Sequence, residues 1–199
     1  MANALAPFGF SQFRGTGSSP TYEQVEMKIA SNNATAIFFG DAVVPVTGSV
    51  TGYIAQATAG TVPLAGIFIG CKYISVSQKR TVWGNYWPGS DANGDVTAYV
   101  VNDPAAQFLV QTNTGAAVGL ANVGKNCQLA VGTGNTANGI SGMYISTIGT
   151  TATFPFRIVE LYNNPIAFNG ADITTQYNYV IVAFNNVLTR SNGAVTGIA

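Results

Sequence analysis

Residues 62–111, VPLAGIFIGCKYISVSQKRTVWGNYWPGSDANGDVTAYVVNDPAAQFLVQ, hold both tryptophans of the chain and much of its turn punctuation, and their reading decides the fold class. Ile67, Ile69, Cys71 and Tyr73 alternate with Phe68, Gly70, Lys72 and Ile74. A period of two predicts a strand with one set on a buried face and the other partly exposed. Residues 81–86 are aromatic and β-branched, and Trp87-Pro88-Gly89 followed by Ser90-Asp91-Ala92-Asn93-Gly94-Asp95 ends them with strong turn chemistry. Strand patterning resumes over 96–101, Asp103-Pro104 turns the chain, and Phe108-Leu109-Val110-Gln111 reads as one more strand.

Outward from this stretch the same grammar continues. Val25, Met27 and Ile29 share one face while Glu26 and Lys28 lie on the other, a half-buried strand. Residues 36–39 and 43–46 give further strands before Thr47-Gly48, and 50–58 continue the meander. Residues 112–142 are rich in Gly, Ala, Asn and Thr, with 127–131 the clearest strand among exposed turns. Phe154, Phe156 and Ile158 alternate with Pro155, Arg157 and Val159, and 177–184 suit a central strand. No window shows a capped 3.6-residue apolar stripe, so helix is a minor component. The expected fold is all-β, a β-barrel or β-sandwich of short antiparallel strands with an extended N-terminal arm. Residues 1–20 form the arm and 21–199 a single β-rich domain.

Only 8% of residues are charged, against about a quarter in ordinary domains, while 47% are hydrophobic. Eight Lys+Arg balance eight Asp+Glu. That balance gives no electrostatic reason for nucleic acid or an anionic membrane as partner, and no apolar run has the length of a membrane span. No signal peptide is expected, because the first ten residues lack a basic start and Pro7 and Gly9 break their apolar run. Cys71 and Cys127 are expected to be reduced core residues rather than a disulfide framework.

The chain has no histidine, which removes Ser-His-Asp and Cys-His nucleophiles and the usual zinc sites. A carboxylate pair remains conceivable among Glu23, Glu26, Asp41 and Glu160, but such residues are usually solvated or ion-paired. Asp91-Ala92-Asn93-Gly94-Asp95 begins like a calcium loop, yet Val96 stands where the EF-hand glycine belongs and Asn102 where its bidentate Glu belongs. It reads as an Asn-Gly turn. No catalytic, cofactor or metal residues are expected. In the arm, the three aromatics Phe8, Phe10 and Phe13 are too many to leave in water, so with Arg14 they are expected to dock on a neighbouring subunit outside the core. Removing residues 2–20 should then weaken that contact and leave the fold intact. Trp83, Tyr86 and Trp87 are expected in the core or at a protomer interface.

Several motifs together resemble a group of tailed-bacteriophage virion structural proteins. They are Gly66-Ile67-Phe68-Ile69-Gly70-Cys71-Lys72-Tyr73, then Asn85-Tyr86-Trp87-Pro88-Gly89-Ser90, then Ala98-Tyr99-Val100 and Asp103-Pro104 with Phe108-Leu109-Val110-Gln111. Ile37-Phe38-Phe39-Gly40-Asp41, Arg157-Ile158-Val159 and Tyr179-Val180-Ile181-Val182-Ala183-Phe184-Asn185 fit the flanks, so the similarity spans about residues 20 to 187. The resemblance implies a capsid decoration, or cement, protein. Such a β-rich subunit oligomerises, commonly as a trimer, and binds the major capsid protein on the outer face of the icosahedral shell after synthesis in the host bacterial cytoplasm. Two other readings use the same composition: a tail or baseplate component, and a carbohydrate-binding β-sandwich that stacks sugar on Tyr86, Trp87 and Tyr99.

Overall fold

The computed structural model describes residues 2–15, 23–48, 52–163 and 172–189. Their strands are β1 (Ser11–Arg14), β2 (Val25–Ile29), β3 (Ala42–Pro45), β4 (Ile54–Gln56), β5 (Gly66–Ser75), β6 (Arg80–Gly84), β7 (Val96–Val101), β8 (Gln107–Gln111), β9 (Asn126–Ala130), β10 (Tyr144–Gly149), β11 (Phe156–Leu161) and β12 (Tyr179–Phe184). A single 3-10 turn, Leu120–Asn122, is the helical content among the described residues. The first sheet has the order β1-β8-β12-β11-β9-β10. The second runs β2-β7-β5-β3-β4, with β6 also paired to β5. All of the strand pairings are antiparallel, which gives a sandwich of two six-stranded sheets. The turn between β7 and β8 forms where expected: Asp103 Oδ1 accepts from the Ala105 amide at 2.8 Å, and the Asp103 carbonyl from the Ala106 amide at 3.0 Å.

The main core lies between the sheets. Phe108 and Val110 of β8, Phe156 and Ile158 of β11, and Val180, Val182 and Phe184 of β12 meet Ala42, Ile67 and Val101 from the second sheet, together with Leu64 from the loop before β5. A second core covers the opposite face of that sheet with Ile29, Ile37, Phe68, Cys71, Tyr73, Trp87, Ala98 and Val100. One irregularity in β5 links the two. The pairing to β7 shifts between Phe68 and Gly70, so Ile67 opposes Val101, Phe68 opposes Val100, and Gly70, after the bulged Ile69, opposes Tyr99. An extra residue reverses the side-chain alternation. Ile67 therefore faces the main core while Cys71 and Tyr73 face the second, which corrects the single face that a strict period of two assigns to all three.

The N-terminal segment is extended, but it does not stand apart from the domain. β1 pairs with β8, and Phe10 is 1% exposed in the main core, stacked on Phe156 with ring centroids 4.3 Å apart. Phe8 meets Tyr179 edge-on, Phe13 meets Tyr162 edge-on, and Arg14 pairs with Glu160. The expectation of a place outside the core is therefore corrected for Phe10, whereas Phe8, Phe13 and Arg14 are half-buried against Tyr179 of β12, Tyr162 just past the end of β11 and Glu160 of β11 in their own chain. Gly9 makes the passage possible. Its φ is +75°, and a Cβ there would lie 2.5 Å from Ser141 Cβ and 2.6 Å from the Gly40 carbonyl.

Asp41 ties this crossing together. Its carboxylate accepts from the Phe38 amide at 2.8 Å, from Gln56 Nε2 at 2.7 Å and from Ser141 Oγ at 2.5 Å. Burial raises its pKa above the ordinary 3.8, partly opposed by the bonds from Phe38, Ser141 and Gln56. Folded chain thus holds the Asp41 proton more tightly than unfolded chain. Stability from this group is greatest below pH 3.8, falls as pH rises toward the raised folded value, and is level above it. Burial pushes Asp41 up, whereas hydrogen bonds from Ser75 and Ser77 hold the Asp91 carboxyl below its usual value, and bonds from Thr174 do the same for Asp172. Comparison with Asp41→Asn removes these opposing contributions. Denaturant unfolding across the acid range should show native chain losing stability relative to the variant as pH rises. A difference that is constant or grows with pH would contradict this assignment.

Candidate interaction surface

β5 is ten residues long, and its two ends have different neighbours. Near Gly66 and Ile67 it pairs with β3 and lies over the main core; from Cys71 to Ser75 it pairs with β6. The face that carries Ile67 and Val101 continues past the main core. Register places Gly70 and Tyr99, then Thr97, Lys72 and Trp83, and then Ile74 and Thr81 on that same face, with Glu26 and Lys28 of β2 alongside. Sheet geometry alone therefore carries the face of the main core out into solvent, where Tyr99, Trp83 and Ile74 stand among polar neighbours.

Trp83 is 65% exposed. Its ring is within 6° of parallel to that of Tyr99, with centroids 6.1 Å apart, and Lys72 Nζ lies 4.6 Å from its centroid. Gly70, opposite Tyr99 on the intervening strand, puts no side chain between the rings. β6 is paired on one side only, so Lys72 and Tyr99 reach the indole from the sheet's interior while its far side borders an open strand edge. Ile74 and Val76 extend the apolar strip, each more than half exposed. The hairpin tip is fixed: Asp91 accepts from Ser75 Oγ at 2.6 Å, Ser77 Oγ at 3.1 Å and the Ser77 amide at 2.9 Å. The strip is thus presented on a held sheet, with little ordering left to lose on binding. No family model, curated protein or solved structure matches the chain.

The three central aromatics separate. Trp87 is fully buried in the second core, Tyr86 is half-buried and stacks on Phe38 at 5.5 Å, and Trp83 stands in solvent. Trp83 therefore lies outside the core, which leaves the protomer interface of its two expected placements. β6 ends at Gly84, after which the chain turns inward and pairs Trp87 with Ile37, so the two indoles fall on opposite sides of the sheet. Burial of Trp87 also breaks up the expected sugar platform, leaving Tyr99 beside Trp83 instead. Lys72 and Ile74 already share a face in the period-of-two reading, whereas Val76 joins the surface without a distinctive sequence signal.

Chemistry-bearing groups are engaged separately. Asp91 faces its serines and Asp95 accepts from the Tyr53 hydroxyl at 3.0 Å, so the two ends of the calcium-like motif serve different partners. Among the described residues no group of three or more His, Cys, Asp or Glu is placed to hold a metal. Asp41 is buried with its three donors, Glu160 pairs with Arg14, and Glu23 and Glu26 are exposed near and on the edge strand β2. Both cysteines are free and buried, and burial pushes the Cys71 thiol up to about 12 and that of Cys127 further still.

Proposed function

We propose that this chain is a structural virion protein of a tailed bacteriophage, a decoration protein that binds the outer face of the icosahedral shell through the Trp83 face. The observation that carries the reading is the rigid, exposed aromatic face running out of the inter-sheet core. Tryptophan and tyrosine are favoured anchors of protein interfaces, and a surface of low charge tolerates repeated close contact. The motif resemblance to phage virion proteins supplies the setting, and the all-β body agrees with it. A trimer matched to threefold shell positions would engage three capsid sites at once, so modest contacts sum by avidity.

Copy number relative to the major capsid protein in purified virions tests the reading. A decoration protein is expected at about one to one, as symmetric occupancy of the shell requires. A few copies per hundred capsid subunits would assign it to the tail or baseplate, and absence from virions would remove the proposal. Trp83→Ala should leave folding stability within about 1 kcal/mol, because an exposed side chain forfeits little packing. It should weaken shell binding about thirtyfold, the loss of a hot-spot contribution near 2 kcal/mol. Sedimentation of the variant with stripped shells reads that loss directly, and unchanged occupancy would refute the placement of the interface.

A further inference from the structure

The described residues contain two Asn-Gly pairs, Asn93-Gly94 and Asn138-Gly139, and the fold treats them oppositely. An asparagine followed by glycine has a characteristic reaction open to it, since the glycine amide nitrogen can attack the asparagine side-chain carbonyl. That attack needs a free amide and room for a five-membered ring. At the second pair both are denied. The Gly139 amide donates to the Asn135 carbonyl at 2.8 Å, Asn138 Oδ1 accepts from the Ile140 amide at 3.0 Å, and the Asn138 carbonyl accepts from Asn85 Nδ2 at 2.6 Å. Gly139 is also buried, and a Cβ there would lie 2.3 Å from Asn85 Oδ1.

At the first pair both are granted. Asn93 is exposed, and neither its side-chain amide nor the Gly94 amide makes a hydrogen bond. A Cβ built on Gly94 would meet nothing within 4 Å. Only the Asn93 backbone amide is held, by the Ile74 carbonyl at 2.8 Å, which fixes the peptide before the reacting one and leaves the one after it free.

We propose that Asn93 is a self-modifying site that deamidates through a cyclic imide. The Gly94 nitrogen gives up its proton to solvent and bonds to Asn93 Cγ, and the side-chain nitrogen leaves as ammonia. Water then opens the ring at either carbonyl, giving aspartate or, with the backbone rerouted through the side chain, isoaspartate. The net reaction is amide plus water to carboxylate plus ammonium, with no oxidant, reductant or enzyme. Each conversion takes the chain from a formal charge of +0 to one net negative charge. The new carboxylate stands in the shallow depression that Asn93 shares with Ile74, Ser75, Val76 and Lys79, next to the apolar strip of the hairpin. Age thereby adds a negative charge to a surface that already carries Lys72 and Lys79, whatever that surface binds.

The test is peptide mapping of the native full-length chain, incubated at neutral and mildly alkaline pH, with separation of aspartyl and isoaspartyl forms. Asn93 should convert about tenfold or more faster than Asn138, because Gly139 must first open locally. The rate at Asn93 should rise with pH, since the attacking amide reacts deprotonated. In urea-unfolded chain the two sites should converge. Equal rates in the folded chain, or a folded Asn93 that stays an amide while unfolded chain converts, would overturn the proposal. Either result is independent of whether the protein is found in virions.

Discussion

Trp87→Ala is expected to lower folding stability by about 3–5 kcal/mol, a large share of the 5–15 kcal/mol that holds a typical domain. The side chain is fully buried, meets Tyr73 edge-on at 5.1 Å, and donates from Nε1 to the Asn33 carbonyl at 3.2 Å. Its backbone is also held. Trp87 and Ile37 exchange both amide hydrogen bonds, at 2.7 and 2.9 Å, so the 30–40 segment cannot readily fall into the space left by the ring. A cavity that fails to collapse carries the upper end of the penalty. Trp87→Phe should recover most of the loss, leaving a deficit near 1 kcal/mol for the missing hydrogen bond together with some packing. Denaturant midpoints at unchanged slope would measure both, and a loss under about 1 kcal/mol for the alanine variant would contradict the second core as described.

Phe10→Ala should have an effect of similar size, about 3–5 kcal/mol, although Phe10 lies in the segment that the sequence assigns to an arm. Its ring is stacked on Phe156, which is itself stacked on Phe184 at 5.7 Å, so the lost side chain opens the centre of the main core. Deleting residues 2–15 goes further. It removes β1 from the edge of β8, the Gly9 and Phe10 amide bonds to Met143 and Gly40 at 3.2 and 2.8 Å, and the bond from Gln111 Nε2 to the Ala4 carbonyl at 2.9 Å. The truncated chain is expected to unfold at markedly lower denaturant than Phe10→Ala, in contrast to the intact fold that a detached arm would leave behind. An unfolding curve matching the full-length chain would show that the segment is dispensable. Phe8→Ala, at a half-buried ring on the rim, should cost less than Phe10→Ala.

These two predictions mark where sequence reading stops. Strands over β2, β5, β7, β8, β9, β11 and β12 follow from β-branched and aromatic runs bounded by Gly, Pro, Asn and Asp, because strand periodicity and turn chemistry are local. β1 is absent from that reading. Ser11–Arg14 has no alternation, and its strand exists only because β8, nearly a hundred residues on, offers an edge. The bulge at Ile69 is equally silent, since nothing in Gly66-Ile67-Phe68-Ile69-Gly70 says where one residue will be left unpaired.

The candidate surface was legible only as composition. Aromatic letters at 83, 86, 87 and 99 announce large apolar area, and the missing histidine and sparse charge turn attention from catalysis to contact. By itself the sequence determined the all-β class, most of the strands and turns, the low charge and the absence of imidazole chemistry. Only the tertiary structure decided that Phe10 and Trp87 are core while Trp83 is surface, and that Gly94 has a free amide while Gly139 does not. The physical reason is that periodicity sorts residues between two faces of a strand, whereas burial depends on what lies over each face, and that is set by pairings between segments far apart in the chain.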